Sequence, residues 1–167
     1  MSIKDKIIII TGASSGIGEA TAILLAQKGA KLVLAARREE KLQTIVEKIK
    51  ENSGEAVYFV TDVTKRIDNQ KLVDFTIKTY GKVDVIFLNA GIMPNSPLSA
   101  LKEDEWDQMI DINIKGVLNG LAAVLPYFVE QKSGHVLTTS SVAGLKGAVY
   151  GATKWAIRDL MEVLRME

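Results

Sequence analysis

Residues 7–18 read "IIIITGASSGIG", four consecutive isoleucines running into a glycine-rich segment. Ile7 to Ile10 is a short β-branched apolar run that suits a strand buried on both faces, and it ends at Thr11 and Gly12. From Gly16 the period changes. Ile17, Ala20, Ile23, Leu24 and Ala26 recur at helical spacing up to Lys28 and Gly29, a basic last turn and a glycine stop. Glycines at 12, 16 and 18 let the backbone turn tightly and approach a ligand, while the following helix points free N–H groups and its positive dipole end at an anion. A pyrophosphate fits such a turn. The spacing is Gly-x-x-x-Gly-x-Gly, not the common Gly-x-Gly-x-x-Gly, so a glycine turn that serves packing alone stays open at this point.

Outward from this unit the same cycle repeats. Strands are expected at "LVLAA" (32–36), "AVYFV" (56–60), "VDVIFLN" (83–89) and "HVLTTS" (135–140). Helices are expected from Glu39 to Lys50, Asp68 to Tyr80, Glu103 to Val129, and from near Tyr150 to the end. Strands alternating with helices force right-handed crossovers and a parallel sheet covered on both faces. The expectation is one α/β domain over residues 1–167, a doubly wound, Rossmann-like parallel sheet with helices on both faces. In such sheets ligands sit beyond the carboxyl ends of the strands, where the winding reverses.

Composition narrows the function. The chain has 167 residues, 47% hydrophobic and 25% charged, enough for a sizeable core. Lys plus Arg at 21 against Asp plus Glu at 20 gives a net charge of +1, so no broad field argues for nucleic acid or an anionic membrane. Any anion must be bound locally. With no cysteine and a single histidine, His135, neither a disulfide framework, thiolate chemistry nor a multi-histidine metal site is expected. The N-terminal apolar run is far short of a signal-peptide core or a membrane span, and a cytoplasmic protein is the expectation.

The residues after each strand look chemical. Where many dinucleotide sites place an acid after the second strand, this chain has Ala36, Arg37 and Arg38. A carboxylate would repel a 2′-phosphate, whereas a guanidinium binds it through paired charge-assisted hydrogen bonds. NADP(H) is therefore expected over NAD(H), with Arg37, nearer the strand end, ahead of Arg38. Asp62 after the third strand is a candidate acceptor for an adenine amino group, and Asn89, Ala90 and Gly91 after the fourth would keep a tight backbone path beside a cofactor. Each is also an ordinary turn residue. After the fifth strand, "SSVAGLKGAVYGATK" (140–154) carries Ser141, Tyr150 and Lys154. A free tyrosine titrates near pH 10, about three units too high for acid/base work at neutral pH, so it needs a neighbouring cation. Lys154, four residues on, shares the helical face of Tyr150.

The set "TGASSGIG", "LNAG", a serine at a strand end and "YGATK", in this order, resembles the short-chain dehydrogenase/reductase family over essentially the whole chain. That resemblance implies roles for matching positions. Gly12, Gly16 and Gly18, with Ile17 among them, would form the dinucleotide turn, Ser14 and Ser15 would line its phosphate side, and Arg37 would contact the adenosine phosphate. Asp62 and Val63 would bracket the adenine, and Asn89 would brace the sheet. Tyr150 would be the general acid/base, with Lys154 favouring its phenolate and binding the nicotinamide ribose. Ser141, with Ser140 as its neighbour, would orient a substrate carbonyl. Asn113 in "DINIKG" would hold a water at an opened helical carbonyl and link the lysine to solvent. The implied reaction is hydride transfer between the nicotinamide and a carbonyl or secondary alcohol. A dinucleotide-binding regulatory or scaffold protein without turnover is the alternative, and it has no use for all four of Asn113, Ser141, Tyr150 and Lys154.

Two features depart from the family. Ser141 and Tyr150 are nine residues apart (150 − 141). That is about four fewer than the family's usual spacing, yet at about 3.6 Å per residue the loop still closes. The shortfall is expected near "LKGAV" (145–149). The family also runs to roughly 250 residues, as single α/β domains do, so this chain is expected to be part of a longer protein and to lack the C-terminal strands. The apolar positions Met109, Ile110, Val117, Leu118, Leu121 and Leu125 exceed one narrow helical stripe. In the family this helix and the tyrosine helix pack on a second subunit, which implies a homodimer or homotetramer. A larger monomer core would use the same residues.

Overall fold

The computed structural model describes residues 2–145 and 148–166. Five strands, β1 (Ile7–Thr11), β2 (Lys31–Ala36), β3 (Glu55–Val60), β4 (Val85–Leu88) and β5 (His135–Thr138), form one parallel sheet in the order β3-β2-β1-β4-β5. The winding reverses between β1 and β4. Helices α1 (Gly16–Gln27), α2 (Glu39–Glu51), α3 (Arg66–Tyr80), α4 (Glu103–Met109), α5 (Gly116–Glu130) and α6 (Val149–Met166) cover it.

The isoleucine run works as its pattern predicts. All five residues of β1 are buried, and alternate side chains enter opposite cores. Ile8 and Ile10 join Leu32, Leu34, Ala22, Ala26 and Leu42 beneath α1 and α2. Ile9 joins Val33, Leu72, Val124 and Ile157 beneath α3, α5 and α6. Each isoleucine buried in this way stabilises the fold by about 1.5–3 kcal/mol, and β1, like β2, contributes to both layers.

The fourth strand is shorter than the expected 83–89, and a polar residue stands at each flank. Asp84 keeps backbone bonds to both neighbouring strands, its N–H to Ile7 O at 2.9 Å and its carbonyl to the His135 N–H at 3.0 Å, and its side chain adds to them: Oδ2 accepts from the Ile7 N–H at 2.9 Å and Oδ1 from Lys82 Nζ at 2.9 Å. Asn89 binds the end of β1 through its amide. The polar ends of the segment thus anchor the neighbouring strand.

The expected long helix is continuous over Glu103–Glu130, long and apolar enough by length and composition alone to cross a membrane. Its apolar residues Val117, Leu121, Val124 and Phe128 are buried against the sheet, which accounts for that hydropathy. The helix widens into a π-helical turn at Ile110–Lys115, where the Gly116 N–H bonds Asp111 O, five residues back. Asn113 lies inside this turn. The stretch "LKGAV", near which the shortfall is expected, includes Lys146 and Gly147, which lie outside the described residues.

Candidate active site

A cavity of about 410 Å³ opens at the carboxyl ends of the strands, between the β1 and β4 loops. Its floor begins at the glycine turn. Gly12 has φ +65° and Gly16 φ +59°, values that L side chains rarely adopt. A methyl on Gly12 would lie 2.8 Å from Ala90 Cα, and one on Gly18 would lie 2.4 Å from Gly12 O. The turn and the β4 loop are therefore in backbone contact, and only glycine permits it. Asn89 locks the arrangement: its Nδ2 donates to Thr11 O at 3.2 Å and to Gly12 O at 3.4 Å, while its own N–H bonds Thr11 Oγ1 at 3.0 Å.

Gly12, Ser14, Ser15 and Ile17 line the cavity together with Arg37, Arg38, Asp62, Val63, Asn89, Ala90 and Gly91, and at its far end Tyr150 and Lys154. Arg38, the second choice in sequence, makes the contacts across to the glycine turn. Its Nε and Nη2 donate to Ser14 Oγ at 3.2 and 2.9 Å, and Nη2 also to Ser15 Oγ at 2.7 Å. It stands at the N-cap of α2, so its chain leaves β2 aimed back over the turn. Arg37 instead faces Asp62. Burial would raise that carboxyl, but bonds from the Thr64 hydroxyl and N–H, with the charges of Arg37 and Lys65, together hold it below its ordinary value.

At the other end three loops and α6 converge. Lys154 is 5% exposed, its Nζ donates to Thr139 O at 2.8 Å, and it lies 5.7 Å from the centroid of the Tyr150 ring. Burial lowers the affinity of this amine for its proton. Asn113, 1% exposed, accepts from the Ile92 N–H at 2.9 Å and donates to Ile92 O at 2.9 Å and Thr153 Oγ1 at 3.1 Å. It therefore ties the long helix to both the β4 loop and α6. A methyl on Gly91 would sit 3.2 Å from Asn113 Oδ1 and 3.5 Å from Lys154 Nζ, which places these groups around one point.

Ser141 is not among the residues lining this cavity. With Ser140 it lines an adjoining cavity of about 350 Å³ bounded by Trp155 and Arg158, and Lys154 borders both. The Oγ of Ser141 accepts from the Ala143 N–H at 3.1 Å. Thr139 was not singled out in the sequence, although it closes β5 just as the chosen residues close theirs. Its hydroxyl donates to Asn89 Oδ1 at 2.8 Å and its carbonyl holds Lys154, so it joins the brace to the lysine.

With this geometry in place, comparison with known proteins defines the class. The short chain dehydrogenase family profile matches residues 6–167, and the chain belongs to this family. It is 79% identical to an uncharacterized oxidoreductase of Listeria innocua, over all of this chain and 69% of the relative. A short chain dehydrogenase/reductase of Burkholderia phymatum in complex with NAD superposes with TM-score 0.94 at 33% identity, over 98% of this chain and 60% of that one. An alcohol dehydrogenase of Thermococcus sibiricus, complexed with 5-hydroxy-NADP, superposes with TM-score 0.91 at 34% identity, over 98% and 71%. This chain thus spans about three fifths of the Burkholderia structure's length.

Proposed function

We propose that this protein is an NADP(H)-dependent oxidoreductase acting on a small-molecule carbonyl or secondary alcohol. The observation that carries the proposal is the shared cavity: Tyr150 and Lys154 line the same space as the glycine turn and the two arginines. The residues fit a dinucleotide. Gly12 and Gly18, closed against neighbouring backbone, and Gly16, with open space where a side chain would stand, leave room for a pyrophosphate, and two guanidiniums with no acid at the end of β2 suit a 2′-phosphate better than free ribose hydroxyls. Solved relatives carry either form of the nicotinamide cofactor, so the preference for NADP(H) over NAD(H) rests on Arg37 and Arg38.

The cofactor, when bound, supplies or accepts the hydride. The chain's own residues manage position and protons. The Tyr150 hydroxyl gives its proton to the substrate oxygen during reduction, or takes it during oxidation. Lys154, its Nζ 5.7 Å from the centroid of the Tyr150 ring, would bind the nicotinamide ribose beside it. Asn113 holds Ile92 and α6 in register, and the π-helical turn around it is where a water relay from Lys154 to solvent would run. Ser141 would orient the substrate carbonyl, its approach to Tyr150 depending on the segment that joins them. The protein would work in the cytoplasm as a homodimer or homotetramer.

The test is Tyr150→Phe, assayed as NADPH oxidation across a panel of ketones and aldehydes. Turnover is expected to fall at least about a hundredfold, the usual contribution of a positioned acid. Unchanged turnover would remove Tyr150 from the mechanism.

A further inference from the structure

The loop after β3 carries Asp62 and Val63 into the cavity, and two asparagines outside the mechanism hold it from behind. Asn69 of α3 donates from Nδ2 to Val63 O at 3.0 Å and to Lys65 O at 2.8 Å. Asn119 of α5 donates from Nδ2 to Val63 O at 3.0 Å and to Thr64 O at 3.2 Å. Two amides from two helices therefore take up the carbonyls of three successive residues, and the Val63 carbonyl accepts from both. Three residues before Asn119, Gly116 makes room for the same loop, since a methyl there would lie 2.9 Å from Val63 Cγ2.

Asn69 shows what these amides are for. It is 1% exposed and its Oδ1 is buried without a hydrogen-bond partner. A leucine of similar size would avoid that orphaned acceptor at a site already lined by core residues, so the useful part of the side chain is its pair of N–H donors. Both amides act only as donors, and both act on the one loop. A loop held in this way has little conformational freedom left to lose when a ligand meets it.

We infer that Asn69 and Asn119 are positioning residues for the adenosine half of the cofactor: they preset the Asp62–Val63 wall before the nucleotide arrives. The inference rests on the dinucleotide reading of the cavity. Because α5 continues from the π-helical turn that holds Asn113, the same helix sets both the adenosine wall and the catalytic end.

The test titrates the intact protein and its Asn119 variants with adenosine 2′,5′-bisphosphate and, separately, with reduced nicotinamide mononucleotide, following heat by calorimetry and folding by thermal melt. Asn119→Ala is expected to weaken the bisphosphate about tenfold, the equivalent of roughly one lost hydrogen bond. Asn119→Asp is expected to weaken it further, because a carboxylate would face two carbonyl oxygens. The mononucleotide should change less than about twofold on the same scale. Asn119→Ala carries the test should the aspartate variant not fold. Bisphosphate affinity unchanged in a folded variant, or equal losses for both halves, would overturn the inference. Wild-type protein that binds no bisphosphate would instead overturn the dinucleotide reading itself, and this inference with it.

Discussion

Arg37 and Arg38 stand side by side after β2, yet their guanidiniums do different things. Arg38 reaches back to Ser14 and Ser15 on the glycine turn, whereas Arg37 sits where its charge acts on Asp62. A 2′-phosphate entering this corner would meet one guanidinium already oriented by two hydroxyls and a second whose charge acts on Asp62. Charge-assisted hydrogen bonds of this kind contribute about 1.5–3 kcal/mol each. Arg38→Asp is therefore expected to weaken NADPH by roughly ten- to a hundredfold while changing NADH little, with Arg37→Asp acting in the same direction. Dissociation constants for both cofactors decide this, and equal losses for NADPH and NADH would remove the phosphate assignment. The same corner shows why proximity along the chain is a weak guide. Arg37 is nearer the strand end, but the backbone direction at the α2 N-cap gives the contact to Arg38.

At the scale of elements, the pairing of β1 with β4 places the two halves of the site, and Asp84 fastens that pair at the end away from the cavity. Its side chain is 12% exposed, and it accepts from the Ile7 N–H, Lys82 and Lys6. Burial alone would raise its proton affinity. The Ile7 N–H and the two lysines reverse that and hold the carboxyl below its ordinary value of 3.8. A carboxylate whose folded value is depressed contributes stability that is present above the unfolded value and lost as pH falls through the folded one. Asp84→Asn is therefore expected to destabilise the protein at neutral pH by about 1–3 kcal/mol. The gap to wild type should close on acidification below about pH 4. Urea melts at pH 7 and pH 3 give the comparison, and a gap that stays constant would place the role of Asp84 elsewhere. The long helix illustrates the opposite balance. Its interior gives up a regular α-helical ladder over Ile110–Lys115, and Asn113 gains three hydrogen bonds to Ile92 and Thr153.

At the scale of the whole molecule, the long helix keeps part of its apolar surface outside the cores. Of the positions that exceeded a single helical face, Met109, Val117 and Leu121 are buried, whereas Ile110 is 40% exposed and Leu118 42%. The two exposed residues are eight apart on this helix, and on α6 Trp155 is 50% exposed. Solvent-facing apolar residues of this kind suit the homodimer or homotetramer proposed above. Light scattering on the intact protein is expected to give at least a dimer mass. Leu118→Lys, which places a charge on this surface and touches neither core, should shift the protein toward the monomer. An unaltered mass would locate any interface elsewhere.

Fold class, strand order along the chain and the identity of most cavity-lining residues were legible in the sequence, because period and turn chemistry are local. An apolar run of period-free β-branched residues, a helical period after it and a glycine-rich turn between them are set within a dozen residues. The rule that ligands sit after parallel strands then pointed to Gly12, Arg37, Asp62, Asn89 and Tyr150 without coordinates. What tertiary structure alone decided was every contact between those segments. Which arginine turns back over Ser14, which loop Asn69 and Asn119 clamp, how Thr139 joins Asn89 to Lys154 and where Ser141 comes to lie all depend on backbone directions set by packing across the sheet. Glycines 12 and 18 belong to both accounts. Their presence was plain in "TGASSGIG", but the reason that no other residue fits, a backbone brought within a methyl's reach by Asn89 and β4, exists only in the folded chain.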